Sequence, residues 1–227
     1  MSKFTAFQLF IRQALLYPLT SPFLPPPDKV QKDFSYAAGQ KVGTLDIPPA
    51  QGLPKTGQTI EYQSGDDGTY QKGYPKSGTK YGTPVNNTVP DNGTGLTWIQ
   101  DPFAIGTVGG YDWSSGGANA GKFSFANALL AVAALNAGAG YGGYTDWRVP
   151  NIKELASLVN YGNVSPAIGE TTGGGEDPFT NTQSDYYWSS TTYAGITDFA
   201  WYVYFSGGRV GYVGKTNTYY VRPVRGG

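Results

Sequence analysis

The side chains of this sequence that could move a proton are carboxylates, lysines and tyrosines, because the 227-residue chain contains neither histidine nor cysteine. That composition removes the commonest general base and the commonest metal ligand, together with thiolate nucleophiles, cysteine-ligated zinc and disulfides. What remains is carboxylate, lysine or tyrosine chemistry, or carboxylate-bound calcium or magnesium, and the competing enzyme class is a carboxylate pair acting as acid and base on a glycoside, Glu170 with Glu176, Asp177 or Asp185. All but Glu170 sit in TTGGGEDPFTNTQSD, which reads as a polar flexible loop, whereas catalytic carboxylates need rigid positions and one raised pKa. Asp66, Asp67 and Asp91 raise the question of calcium, but the spacing and closing glutamate of a calcium-binding loop are missing. They read as solvated turn carboxylates. No catalytic residue, cofactor or metal is expected, and structural calcium has no motif behind it.

Contact chemistry is better represented. Eighteen tyrosines and 33 glycines in one chain combine large, fairly rigid contact area with many turns, a mixture also used by antibody-like binding loops. Charged residues make up 14% of the chain and balance to zero, so composition does not indicate the polyelectrolyte surface of a nucleic-acid binder, and no nucleic-acid partner is expected.

The elements that must position these residues are legible in outline. Near the N-terminus, Phe7, Phe10, Ile11, Leu15 and Tyr17 follow helical spacing until Pro18, and SPFLPPP follows at 21–27. The run is too short and too polar to span a bilayer and lacks signal-peptide features, so a docking helix and a Pro-rich strap are expected over residues 1–52, without membrane insertion. From Leu53 to Asp101 turn signals dominate, including Pro-Lys-Thr-Gly at 54–57 and Pro-Lys-Ser-Gly at 75–78.

Two helices stand out. SFANALLAVAALNAG has Ser124 as N-cap and Gly138 as its stop, and its apolar middle, Leu129 to Leu135, predicts burial on most sides. NIKELASLVNYG pairs Asn151 with Glu154 as a capping box, places Ile152, Leu155, Leu158 and Val159 on one face, and ends at Gly162. After Asp185 the pattern turns to strands. Trp201, Val203 and Phe205 alternate with Tyr202, Tyr204 and Ser206, Gly207-Gly208 makes a tight turn, and Val210 begins the return strand opposite Phe205.

Six stretches then resemble, in order, the signatures of one family. They are LPKTGQT (53–59), DNGTGLTWIQD (91–101), DWRVPNIKELASLV (146–159), YWSSTTYAG (187–195), AWYVYFSGG (200–208) and YYVRPVRGG (219–227). The family is that of the Lcl C-terminal domain, named for a collagen-like adhesin. The resemblance implies an α+β, C-type-lectin-like domain over residues 53–227, with two helices beside small, strongly twisted antiparallel sheets and ligand contacts on the last strands and loops. Enzymes of that broad superfamily that generate formylglycine need a cysteine-based site, and its calcium-dependent lectins carry disulfides and Glu-Pro-Asn and Trp-Asn-Asp motifs. This sequence has none of these.

A narrower resemblance is to the variable proteins of diversity-generating retroelements, in which mutagenised Asn codons scatter into residues such as Tyr, Ser, Gly, Asp, Phe, Ile, Val and Arg but never into Lys, Glu, Gln, Met or Trp. Between Tyr193 and Gly214 only Trp201 belongs to the forbidden group. The resemblance implies ligand contacts at Ile196, Asp198, Phe199, Tyr202, Tyr204 and Ser206, and at Gly207, Arg209, Gly211, Tyr212, Val213 and Gly214. Trp188, Trp201, Val203, Phe205 and Val221 would be the inward scaffold. Arg222 and Arg225, with Arg209 and Lys215 near in sequence, would either meet anionic glycans or pair internally.

The expected function is non-enzymatic recognition of a protein or glycan on another cell or particle, by a monomer on a virion or cell surface. An undiversified adhesin-type domain that binds glycans such as glycosaminoglycans is the alternative, ahead of a carboxylate-based glycoside hydrolase.

Overall fold

The computed structural model describes residues 53–74, 80–114, 121–169 and 177–226. The expected N-terminal helix and strap, the boundary at residue 52, the second Pro-Lys-Ser-Gly turn, Glu170 and Glu176 lie outside the described residues. All the described ones belong to one unit spanning residues 48–227.

The first part of this unit is organised by carboxylates in turns. Asp66 caps the four-residue helix α1 (Asp67–Tyr70) by accepting from the Gly68 amide, and also accepts from Tyr62, Gln63 and the Gln58 side chain. Asp91 departs from the solvated reading. It is buried, its Oδ1 accepts from the Gly93 and Thr94 amides, and its Oδ2 lies 4.0 Å from Lys80 Nζ. The tight Asp91–Gly95 turn accounts for the burial, because its donors need an internal acceptor.

The strands are short except where the tyrosines lie. β1 (Thr88–Pro90), β2 (Thr97–Ile99) and β10 (Val224–Arg225) form one small sheet in the order β1-β2-β10, and β3 (Thr107–Val108) pairs with β4 (Tyr111–Asp112). β5 (Lys122–Phe123), β6 (Tyr186–Thr192), β7 (Phe199–Tyr204), β8 (Arg209–Gly214) and β9 (Tyr219–Tyr220) form the third, in the order β5-β9-β6-β7-β8. The expectation of purely antiparallel sheets needs one correction, since β6 and β9 run parallel. Their connection passes through the β7–β8 hairpin and returns on the far side of β6, which reverses the usual pairing.

α2 (Phe125–Ala134) begins at Ser124, whose hydroxyl accepts from the Asn127 amide. Burial is one-sided, contrary to the expectation of burial all round: Ala128, Ala131, Val132 and Leu135 are inside, while Leu129 and Leu130 are 41% and 55% exposed. The helix also stops short of Gly138. Asn136 leaves the axis to hold both the amide and the carbonyl of Trp147, and tighter i to i+3 bonds close the last turn. α3 (Ile152–Ala156) has the expected capping box, and Glu154 in addition receives both terminal nitrogens of Arg148 at 2.7 and 2.8 Å. It ends six residues before Gly162. Val159 instead pairs with Ile168, and Asn160 donates to Gly169 and accepts from Gly162.

Two cores flank the main sheet. One gathers α2, Trp113, Trp147, Trp188 and Ala200; the other gathers Leu155, Leu158, Trp98, Tyr187, Val203 and Phe205. Burial pushes the Tyr187 phenol from its ordinary 10.0 up to about 12, because the ionised ring would be stranded in that second core. A group raised on folding contributes stability that is complete below pH 10 and disappears as pH climbs through the folded value. Alkaline unfolding should therefore steepen between pH 10 and about 12, and Tyr187→Phe should flatten that decline. An unchanged profile in the variant would mean that another group governs it.

The β7–β8 hairpin has a four-residue connection. Tyr204 pairs with Arg209 and Val203 with Val210, so the register runs two residues differently from the expected Phe205–Val210 pair. Phe205 lies in the turn and drops into the second core, its amide bonded to Asp185 O and its carbonyl to the Ala167 amide. Of the two turn glycines only Gly208 has a positive φ, +75°, and a Cβ there would stand 2.4 Å from Val159 Cγ1, while one at Gly207 would meet nothing. Gly208→Ala should thus lose about 2 kcal/mol or more and Gly207→Ala well under 1 kcal/mol, read by urea unfolding. Equal losses would contradict the turn geometry.

Candidate ligand-display site

The five-stranded sheet presents its aromatics on both faces, and register decides which. In an antiparallel pair, opposed residues share a face while neighbours along a strand alternate. Tyr202 and Tyr204 share one face with Gly211, Arg209, Trp188 and Tyr186, their partners on β8 and β6. Phe199, Trp201 and Val203 share the other with Gly214, Tyr212 and Val210. The residues expected to form one surface are thereby split, with Arg209, Tyr202 and Tyr204 on one side and Phe199 and Tyr212 on the reverse.

On the first face the rings form a ladder across the strands. Tyr186 stacks on Tyr204 with centroids 4.3 Å apart and on Tyr219 at 4.9 Å, and the strand order β9-β6-β7 sets these two on opposite sides of it. Arg209, one strand further out, holds its guanidinium 5.7 Å from the centre of the Tyr204 ring. Tyr202 meets Tyr186 edge-on at 5.0 Å, and Trp188 lies against Tyr219 at 4.7 Å. Tyr186, Tyr202, Tyr204 and Tyr219 are half-buried and Arg209 is exposed. Burial, reinforced by Tyr202 and Tyr186, raises the Tyr219 pKa.

The reverse face carries a separate group. Tyr193 and Tyr212 stack nearly parallel at 4.0 Å, and Trp201 meets both edge-on at 5.5 and 5.4 Å. A hydrogen bond to Tyr212 raises the Tyr193 pKa. Trp201 is half-buried and not the inward anchor that the alternation implied; the second core reaches Val203 and Phe205 and stops short of it. The other scaffold residues, Trp188, Val203, Phe205 and Val221, are buried.

Around these groups, Ile196 (48% exposed), Asp198, Gly207 and Tyr212 (45%) are open to solvent. Phe199, Ser206, Gly211, Val213 and Gly214 are half-buried. The sequence reading missed Tyr186, Tyr193 and Tyr219. The signal existed, since Tyr186 and Tyr219 each stand two residues before a scaffold position, Trp188 and Val221, and so on the same side of the strand, but the pairing of β6 with both β7 and β9 is invisible in one dimension.

Both C-terminal arginines are engaged internally. Arg222 is fully buried and donates to the carbonyls of Ile99 and Gln100 and to Thr182 Oγ1, each at 2.6 Å, with its guanidinium over Phe179. Burial lowers its pKa. Arg225 donates to Asp146 and lies over the Tyr144 ring. Lys215 donates to Thr192 Oγ1 and Thr197 O. Of the carboxylates weighed for hydrolysis, Asp185 is paired with Lys122 at 2.7 Å, a bond that raises the lysine's pKa, and Asp177 accepts from the Phe179 amide. Among the described residues no group of three or more acidic side chains could hold a metal ion, and no helix is long and apolar enough to cross a membrane.

These features define an α+β domain whose last strands display aromatic side chains from a packed sheet. The Lcl C-terminal domain model matches residues 87–225, and the chain belongs to that family. LPKTGQT at 53–59 lies outside the matched span. A comparison with curated proteins gives no match.

Proposed function

We propose that this protein is a non-enzymatic recognition module whose β7–β8 hairpin and preceding loop contact a ligand on another cell or particle, on a C-type-lectin-like fold. The observation that carries the reading is the separation of side chains along β7: Ala200 and Val203 are fully buried, while the tyrosines between and beyond them remain half-open and gather further tyrosines from two other strands, β6 and β9. Clustered tyrosines of this kind supply contact area with little rotamer entropy to lose. The exposed positions at 196, 198, 209 and 212 hold residues reachable from mutagenised Asn codons, which supports diversification by a retroelement. Internal engagement of Arg222, Arg225 and Lys215 weighs against an undiversified binder of glycosaminoglycans.

The test uses the purified chain on a panel of bacterial cells and on a glycan array. A variant carrying Arg209→Ala and Tyr212→Ala, one change on each face, should lose binding about tenfold or more while its stability moves by less than about 1 kcal/mol. Retained binding in that variant, or none by the parent, would refute the reading. Diversification has its own test: a nearby imperfect copy of the codons for residues 186–227, differing only where the copy has adenine, beside a reverse-transcriptase gene.

A further inference from the structure

Resting on that reading, we infer that the ladder face binds an acidic segment of a protein, with a side-chain carboxylate seated on Arg209, and not the face of a sugar ring. Stacking decides between the two. A sugar packs its C–H face onto an open aromatic face, and the ladder offers few. Tyr186 has Tyr204 on one side and Tyr219 on the other, and Tyr204 has Tyr186 on one side and Arg209 on the other. What such rings turn outward is their edges, which carry the positive part of the ring quadrupole, and their hydroxyl groups, which donate hydrogen bonds. Carboxylates and peptide carbonyls suit both.

Charge points the same way. Arg209 is exposed, and among the described residues no carboxylate pairs with it, whereas Lys122, Arg148 and Arg225 all have acidic partners. Its guanidinium is held over Tyr204 and presents the fork that fits a carboxylate with two parallel bonds. One such cation suits a single carboxylate. A sulfated polysaccharide, which gains its affinity from neutralising many charges together, would want a row of them.

The experiment pans a phage-displayed library of random peptides on the full chain, beside an array of neutral and sulfated glycans. Selected peptides should be enriched in Asp and Glu. Their synthetic forms should bind Arg209→Gln and Arg209→Lys about tenfold or more weakly, since lysine keeps the charge but loses the stacked fork, while Lys153→Gln on α3 stays within about twofold. Peptides without acidic enrichment, or indifferent to both Arg209 variants, would overturn the proposal. Binding of glycans alone would overturn it too but leave the recognition reading standing, and binding of neither would overturn both.

Discussion

Trp188→Ala is expected to lower the unfolding free energy by about 3–5 kcal/mol, the range for deleting a buried indole, with an unchanged slope on guanidinium. The ring has no solvent exposure, meets Phe125 edge-on at 5.7 Å and Tyr219 at 4.7 Å, and donates from Nε1 to the Phe123 carbonyl at 2.9 Å. Truncation removes all of these and leaves a void between α2 and the main sheet. Trp201→Ala is the control, because that half-buried ring belongs to neither core and meets Tyr193 and Tyr212 edge-on, and its loss should be less than half as large. Equal losses would put Trp201 in the core and defeat the division drawn between holding and displaying side chains.

Arg222→Ala is expected to lose about 3 kcal/mol or more, since two carbonyls and a hydroxyl would be left without their buried donor, each at about 1–3 kcal/mol. No acidic side chain lies within ion-pair distance of the guanidinium among the described residues, so its burial is carried by hydrogen bonds and by the Phe179 ring. Arg222→Met should lose less than Arg222→Ala, because both remove the buried charge but methionine fills most of the volume that alanine leaves empty. Thermal and urea unfolding of both variants check this. An alanine variant as stable as the parent would show that the tether between residue 222 and β2 contributes nothing.

The α+β class, the capping box of α3, the Ser124 cap and the burial of Val203 were legible because each depends on residues close in sequence. The exposure of Leu129 and Leu130 was not, because all-apolar spacing says nothing about how many sides of a helix find neighbours. The Phe205–Val210 pairing failed for a related reason: two adjacent glycines looked like a two-residue turn, but only Gly208 needs its positive φ, and Phe205 is drawn downward by the second core. For the display site, alternation on β7 put Tyr202 and Tyr204 on one face, where both are half-buried and Tyr202 packs against the first core, while Tyr212 was assigned to their company and sits behind them. Only cross-strand register could settle that, and register depends on the turn.

The two-sided hairpin has an evolutionary consequence. Because Tyr204 and Arg209 look one way and Phe199 and Tyr212 the other, a change at 212 leaves the ladder untouched, and a change at 204 leaves the rear stack untouched. Under the proposed function, a single short ribbon of chain thus offers two surfaces that can be retuned separately, so that acquiring a new specificity on one would not force the old one on the other to be surrendered.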